Sequence, residues 1–241
     1  MSRIKKKHPL AIRWFHWINF PVLTVMIWSG ILIYWANDIY RIGYGSHTFI
    51  KLFPDAFYHP GQRLSASGDE IHPALYHLDH RLAAGMAWHF LFMWIFAING
   101  ALYVLYTVIS GEWRYLIPNR GSVAEAIQVV LHDLKIRKEP LPVRKFNGAQ
   151  QIAYTSVILM GVGSLITGMG VYKPTQFNWI DSLFGGYMAV RFVHFWLTMG
   201  YVAFFMVHIV QVLRAGWNNF RAMVTGYELA PRESTTKDET Q

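Results

Sequence analysis

The chain has 241 residues, of which 53% are hydrophobic, 16% aromatic and only 15% charged, with a formal net charge of +8. So few charges cannot clothe a soluble globule of this size, and a membrane protein is the expected class. Cysteine is absent, which excludes disulfides, thiolate zinc, cysteine-ligated iron-sulfur clusters and covalently attached haem, so any redox centre must use histidine or methionine.

Taken in chain order, the first element is a basic N-terminus (Arg3, Lys5, Lys6, Lys7, Arg13) running into an uncharged stretch from Trp14 to Ala36. That stretch is too long for a secretory signal and no small-residue cleavage site closes it, so it is expected to remain as the first membrane span. The segment from Asn37 to His80 follows, rich in proline, glycine, histidine and aromatics. It is too long for a turn and is expected to be an outer docking loop. The second uncharged stretch is Leu82–Ser110. After it comes a basic connection holding Arg114, Arg120, Lys135, Arg137, Lys138, Arg144 and Lys145. Within that connection Ala126, Ile127, Val130, Leu131 and Leu134 recur at helical spacing, predicting an amphipathic helix over Val123–Lys138 at the membrane surface. The third and fourth stretches are Phe146–Tyr172 and Phe192–Leu213, and Arg214 and Arg221 follow.

Each stretch exceeds the roughly 20 residues that a helix needs to cross the hydrocarbon core. The expected fold is therefore an all-α, integral membrane four-helix bundle. The basic residues gather before span one, between spans two and three and after span four, whereas Asp38, Asp55, Asp69, Glu70, Asp79 and Asp181 lie in the other connections. The positive-inside rule then puts both termini in the cytoplasm. The same clustering argues against a nucleic-acid surface, which would gather the charge in one stripe. Residues 1–229 form one domain in this reading, and 230–241, polar and without periodicity, a disordered tail.

Four histidines lie within these stretches: His16, His89, His194 and His208. Imidazole is costly in hydrocarbon unless it is used. His194 and His208 are fourteen residues apart on one span, close to four helical turns, so both project from one face about 21 Å apart. That suits two stacked haems, one near each membrane surface. With the N-terminus inside, His16 and His208 share the inner depth, and His89 and His194 the outer. The pairing His16/His208 and His89/His194 follows from the direction of travel. His80 matches the depth of His194 slightly better, with His77 just beyond it. Both stand at the aqueous boundary beside Asp79 and Arg81, so His89 is preferred and His80 held in reserve.

Haem propionates seek arginine near the membrane surface. Arg81 and Arg191 suit the outer centre, Arg13 and Arg214 the inner, although each is equally well explained as a snorkelling boundary residue. The glycines within the spans, including Gly30, Gly85, Gly161, Gly168 and Gly200, suit a flat macrocycle or plain helix packing equally. Methionines such as Met26, Met93 and Met206 fit core filling better than axial ligation.

The stretch AWHFLFMWIFAINGALYVLYTVISGEWR, together with LFGGYMAVRFVHFWLTMGYVAFFMVHIVQVL and the following AGWNNFRAMVTGYEL, resembles the bacterial thiosulfate-reductase-type cytochrome b subunits. More distantly the chain is similar to the membrane cytochromes of formate dehydrogenase and nickel-iron hydrogenase. The resemblance implies two b haems held by histidines of spans one, two and four. These fall on His16, His89, His194 and His208. It also implies a menaquinone or ubiquinone site near the inner haem, a bacterial inner-membrane location and a catalytic partner on the periplasmic side, often a molybdopterin oxidoreductase.

Bis-imidazole iron has no open coordination position, so the chain is expected to pass electrons as a subunit of a membrane oxidoreductase rather than act as a stand-alone enzyme. Asn19, Asn119, Arg120, Lys145 and Asn147 are candidates for a quinone pocket, and loop and cap roles explain them equally well. Two other readings stay open: a haem-free transporter whose histidines relay protons, and a membrane anchor whose haem is structural.

Overall fold

The structure, a computed structural model, describes residues 2–36, 41–45, 47–52, 81–136 and 145–231. Four long helices dominate it: α1 (Leu10–Tyr34), α2 (Leu82–Ile109), α5 (Gly148–Tyr172) and α7 (Tyr187–Thr225). Short helices α3 (Trp113–Leu116) and α4 (Ser122–Asp133) connect α2 to α5, and α6 (Asn178–Phe184) connects α5 to α7. All four long helices are apolar and long enough to span a membrane. This is the expected all-α membrane bundle. α1 lies along α2 and α5 along α7, with α1 also meeting α7.

Helix α2 departs from the pattern of a soluble bundle. On α2 the exposed row is Leu91, Trp94, Ile98, Leu102, Leu105 and Ile109, spaced at three and four residues and therefore on one face. The buried residues of the same helix are Gly85, Asn99 and Thr107. On this helix small and polar residues face its neighbours while the large apolar side chains face outward, as lipid permits, whereas α1 and α7 also bury Val22, Leu32, Val190, Phe195 and Tyr201.

Two small antiparallel pairs are added to the helices. Strand β1 (Ser2–Lys6) pairs with β4 (Tyr227–Pro231), so both chain ends lie at one end of the bundle, as four crossings require. Strand β4 ends at Pro231, and residues 232–241, most of the expected tail, lie outside the described residues. Strands β2 (Arg41–Tyr44) and β3 (His47–Lys51) form a hairpin in the long connection between α1 and α2, whose residues 53–80, including His77 and His80, are outside the described part. The hairpin leans on the helices through Tyr44 and Phe49, both against Phe192, and through Trp35 Nε1, which donates to the Arg41 carbonyl at 3.0 Å.

Helix α4 stops at Asp133 rather than near Lys138: Lys135 adopts a left-handed φ of 60° that closes the turn. Its buried face is Ser122, Glu125 and Val129, against α5. The apolar row Val123, Ile127, Val130 and Leu134 is exposed, so this helix turns its greasy side away from the bundle, as a surface-lying amphipathic helix does.

The β1–β4 clasp is tied by Lys7, whose ammonium meets the Glu228 carboxylate at 2.7 Å and Asn219 Oδ1 at 3.0 Å. The Lys7 hydrogen bond is the main cause that holds the Glu228 carboxyl below the usual carboxylate range. His8 is held below its ordinary 6.5 first by burial and then by the Lys7 charge. Both folded-state values are depressed, so each group contributes stability that is full above its unfolded value and is lost as pH falls through the folded one. Amide exchange of residues 2–6 and 227–231, corrected for intrinsic rates, should therefore speed up below about pH 6.5 and again below about pH 4.3. Glu228→Gln should abolish the second step and deepen the first, because the Glu228 charge partly offsets the depression of His8.

Candidate functional site

Helix α7 carries His194 near one end of the bundle and His208 toward the other. Opposite His194 stands His89 of α2, with ring centroids 6.3 Å apart and planes at 72°. Opposite His208 stands His16 of α1, at 6.0 Å and 55°. The structure thus brings the four histidines together in the two pairs that depth in the membrane suggests. Ring separations of this size also occur in ordinary aromatic packing. An iron bonded to one imidazole nitrogen on each side at about 2 Å would hold the centroids about 6 Å apart.

What distinguishes the outer pair from ordinary packing is its support. The Ser29 hydroxyl donates to the Val25 carbonyl at 2.7 Å and lies 3.0 Å from His89 Nδ1. The Thr167 hydroxyl donates to the Gly163 carbonyl at 2.7 Å and lies 2.9 Å from His194 Nδ1. The residue after each is glycine. A Cβ on Gly30 would meet His89 Cε1 at 3.5 Å, and one on Gly168 would meet His194 Cε1 at 3.4 Å. A serine-glycine pair on α1 and a threonine-glycine pair on α5 therefore cradle the two rings in the same way, each ring resting on the backbone of a neighbouring helix.

The inner pair is supported differently. His208 stacks on Phe204 at 5.7 Å and 13°, and His16 meets the edge of Trp17 at 5.0 Å. Trp17 is fixed in turn by donation from Nε1 to the Met223 carbonyl at 3.1 Å. His16 Nδ1 is buried with no hydrogen-bond partner among the described residues. A buried polar atom left so costs about 1–3 kcal/mol, which a bound group or a turn of the ring would relieve. At both ends the donor set is neutral imidazole flanked by aromatic and small residues, which fits a haem.

The four candidate arginines part company. Arg13, three residues before His16, donates to the Val224 carbonyl beside Gly226. Arg191, three residues before His194, lies over the Tyr34 ring and donates to the Tyr34 carbonyl at 3.3 Å. It lines a small polar cavity under the hairpin together with Arg41 and His47. Arg81 is exposed at the start of α2. Arg214 meets the Asp133 carboxylate of α4 at 3.2 Å, a carboxylate that also accepts from Gln211 at 2.7 Å. The charge complementarity of α4 takes that arginine, which the sequence assigned equally to the inner centre.

The quinone candidates have local roles for the most part. Asn147 caps α5, Asn119 accepts from Gly121 N at 2.9 Å, and Lys145 meets Glu112 at 2.6 Å. Arg120 is exposed. Asn19 differs: it accepts from Asn99 Nδ2 at 2.8 Å, and Asn99 is buried between α1 and α2. Ser29, Thr167, Arg41 and His47 were not singled out from the sequence. The only signal for the first two is a hydroxyl residue followed by glycine within a span.

A four-span bundle with two opposed imidazole pairs defines the class of membrane b-type cytochromes. The chain belongs to the prokaryotic cytochrome b561 family, whose model matches residues 7–226. It is 28% identical over 206 residues to the putative protein-methionine-sulfoxide reductase subunit YedZ1 of Azospira oryzae, covering 85% of this chain and 89% of the relative. No solved structure matches it. The protein is accordingly a multi-pass membrane cytochrome b that binds haem b and serves electron transfer, consistent with the bacterial cytochrome b resemblance of its sequence.

Proposed function

We propose that the chain binds two b haems and conducts electrons across the bundle between an oxidoreductase partner on the periplasmic side and the membrane quinone pool. The observation that carries this reading is the pair of facing imidazoles at each end of α7. His89 and His194 would hold the outer haem, His16 and His208 the inner one. Each bound haem supplies a one-electron couple at an iron closed to other ligands. The protein's part is to position and insulate: the helices keep both centres out of water, and the glycines admit the rings to the helix backbones.

Arg191 stands one turn outward of His194, and Arg13 one turn before His16, where each can meet an anionic propionate. Arg81 extends the outer rim. Clustering of basic residues at the end that holds the β1–β4 clasp supports cytoplasmic termini and insertion in a bacterial inner membrane. The relative named above is a subunit of a methionine-sulfoxide reductase, which supports a catalytic partner for this chain. The Asn19–Asn99 contact, with Asn99 buried and Asn19 three residues from His16 on α1, supports a menaquinone or ubiquinone exchange site near the inner haem. Membership of a cytochrome family displaces the haem-free transporter, and two centres spaced across the bundle favour conduction over a purely structural haem.

A reduced-minus-oxidised spectrum of the purified protein, with a haem-to-protein ratio, tests the reading. Two b haems per chain, reoxidised by a quinone, are expected. A ratio of one, or haems that no quinone or quinol can oxidise or reduce, would overturn it.

A further inference from the structure

We infer that Ser29 and Thr167 are positioning residues that fix the tautomer of His89 and His194 and set the outer centre at a lower reduction potential than the inner one. The inference rests on the proposed ligation of the outer haem by these two histidines.

A hydroxyl has one proton. At Ser29 the carbonyl of Val25 lies 2.7 Å away and that of Met26 3.2 Å away. At Thr167 the carbonyls of Gly163 and Ser164 lie 2.7 and 3.5 Å away. Carbonyls only accept, so each hydroxyl gives its proton to its own helix. What it presents to the imidazole at 3.0 or 2.9 Å is a lone pair. The Met26 carbonyl also hydrogen-bonds His89 and the Ser164 carbonyl His194; with the hydroxyl and the carbonyl both accepting, Nδ1 carries the ring proton, which leaves Nε2 unprotonated and available as a ligand. Both hydroxyl side chains are buried, Ser29 at 0% and Thr167 at 1% exposure, so water does not compete for the contact.

Donation from Nδ1–H shifts electron density toward Nε2. A more basic imidazole stabilises ferric over ferrous iron, which lowers the potential. Among the described residues the inner pair shows no equivalent: His208 is stacked on Phe204, and His16 Nδ1 has no hydrogen-bond partner. The asymmetry lies in the protein and gives the two haems an order of potentials, outer below inner. Electrons arriving at the outer face would therefore descend toward the inner centre.

The test is a potentiometric titration of the holoprotein, followed by haem absorbance and by the electron paramagnetic resonance of the low-spin ferric haems. Thr167→Val keeps the shape of the side chain and deletes the acceptor, Thr167→Ser restores it, and Ser29→Ala probes the second histidine. The lower-potential component should move to a more positive potential in Thr167→Val and Ser29→Ala. It should stay in Thr167→Ser, with the higher component fixed throughout. Loss of the outer haem from Thr167→Val but not from Thr167→Ser would also support the role. An unmoved component with both haems bound, equal movement of both components, or haem loss in the serine variant would overturn it. Failure of the ligand assignment itself shows separately, as retention of both haems by His194→Ala.

Discussion

Alanine at His194 should leave the protein with one haem instead of two, and alanine at His89 should remove the same haem. The two rings face each other 6.3 Å apart from different helices, so under the proposed ligation deleting either would leave one donor where the haem takes two. Alanine at His16 or His208 should remove the other haem, because that pair meets at 6.0 Å at the opposite end of α7. The haem-to-protein ratio should fall by about half in each variant, since closed bis-imidazole ligation offers no substitute donor. The difference spectra should sort the four variants into two classes: 89 with 194, and 16 with 208. Any other sorting, such as matching losses in the 194 and 208 variants, would show that the pairs are not the ligands. Free imidazole added to His194→Ala should restore part of the lost spectrum, because the substitution removes a ring and leaves its space.

The helices were legible because lipid imposes a length and forbids charge. The uncharged stretch Leu82–Ser110 became α2 (Leu82–Ile109), and Phe146–Tyr172 became α5 (Gly148–Tyr172). The ends of the first and last helices were less so. α1 begins at Leu10, before Arg13, and α7 extends from Tyr187 to Thr225 past Arg191, Arg214 and Arg221. Arginine bounds the hydrocarbon but is a good helix former, so the charge marks the membrane edge and not the end of the helix. Within α7 the break in helical geometry falls at Gly216, with φ 79°, a conformation open to glycine.

The histidine pairing could be read because it depends only on depth and direction. The hydroxyl supports could not: a serine or threonine in any helix can return its proton to the carbonyl four residues back. Nothing in the sequence shows which of them stands behind an imidazole of another helix. Arg214 was ambiguous for a similar reason, since its partner Asp133 lies 81 residues earlier and meets it only through the packing of α4.

Alanine at Gly148 should destabilise the protein more than any other single methyl addition near the basic end. Gly148 opens α5 under the capping box of Asn147 and Gln150, and a Cβ there would lie 2.4 Å from the Ser122 carbonyl oxygen and 2.9 Å from Glu125 Cβ. The obstacle is backbone, which cannot swing aside as a long side chain can. Helix α4 must therefore move off α5. Doing so strains the buried hydrogen bond from Ser122 Oγ to Gln151 Oε1, 2.7 Å, and the donation from Gln151 Nε2 to the Tyr115 carbonyl, 3.1 Å. Overpacking of this kind costs about 1–3 kcal/mol, and loosening the buried polar contacts adds a similar amount. Better helix propensity of alanine returns at most about 1 kcal/mol. For a chain of this size each kcal/mol is worth about 2–4 °C, so the thermal midpoint in detergent should fall by several degrees. Because no candidate iron ligand lies on α4 or α5, the haem ratio should stay at its native value. An unchanged midpoint would mean that α4 does not bear on α5 in the way the close approach at Gly148 requires.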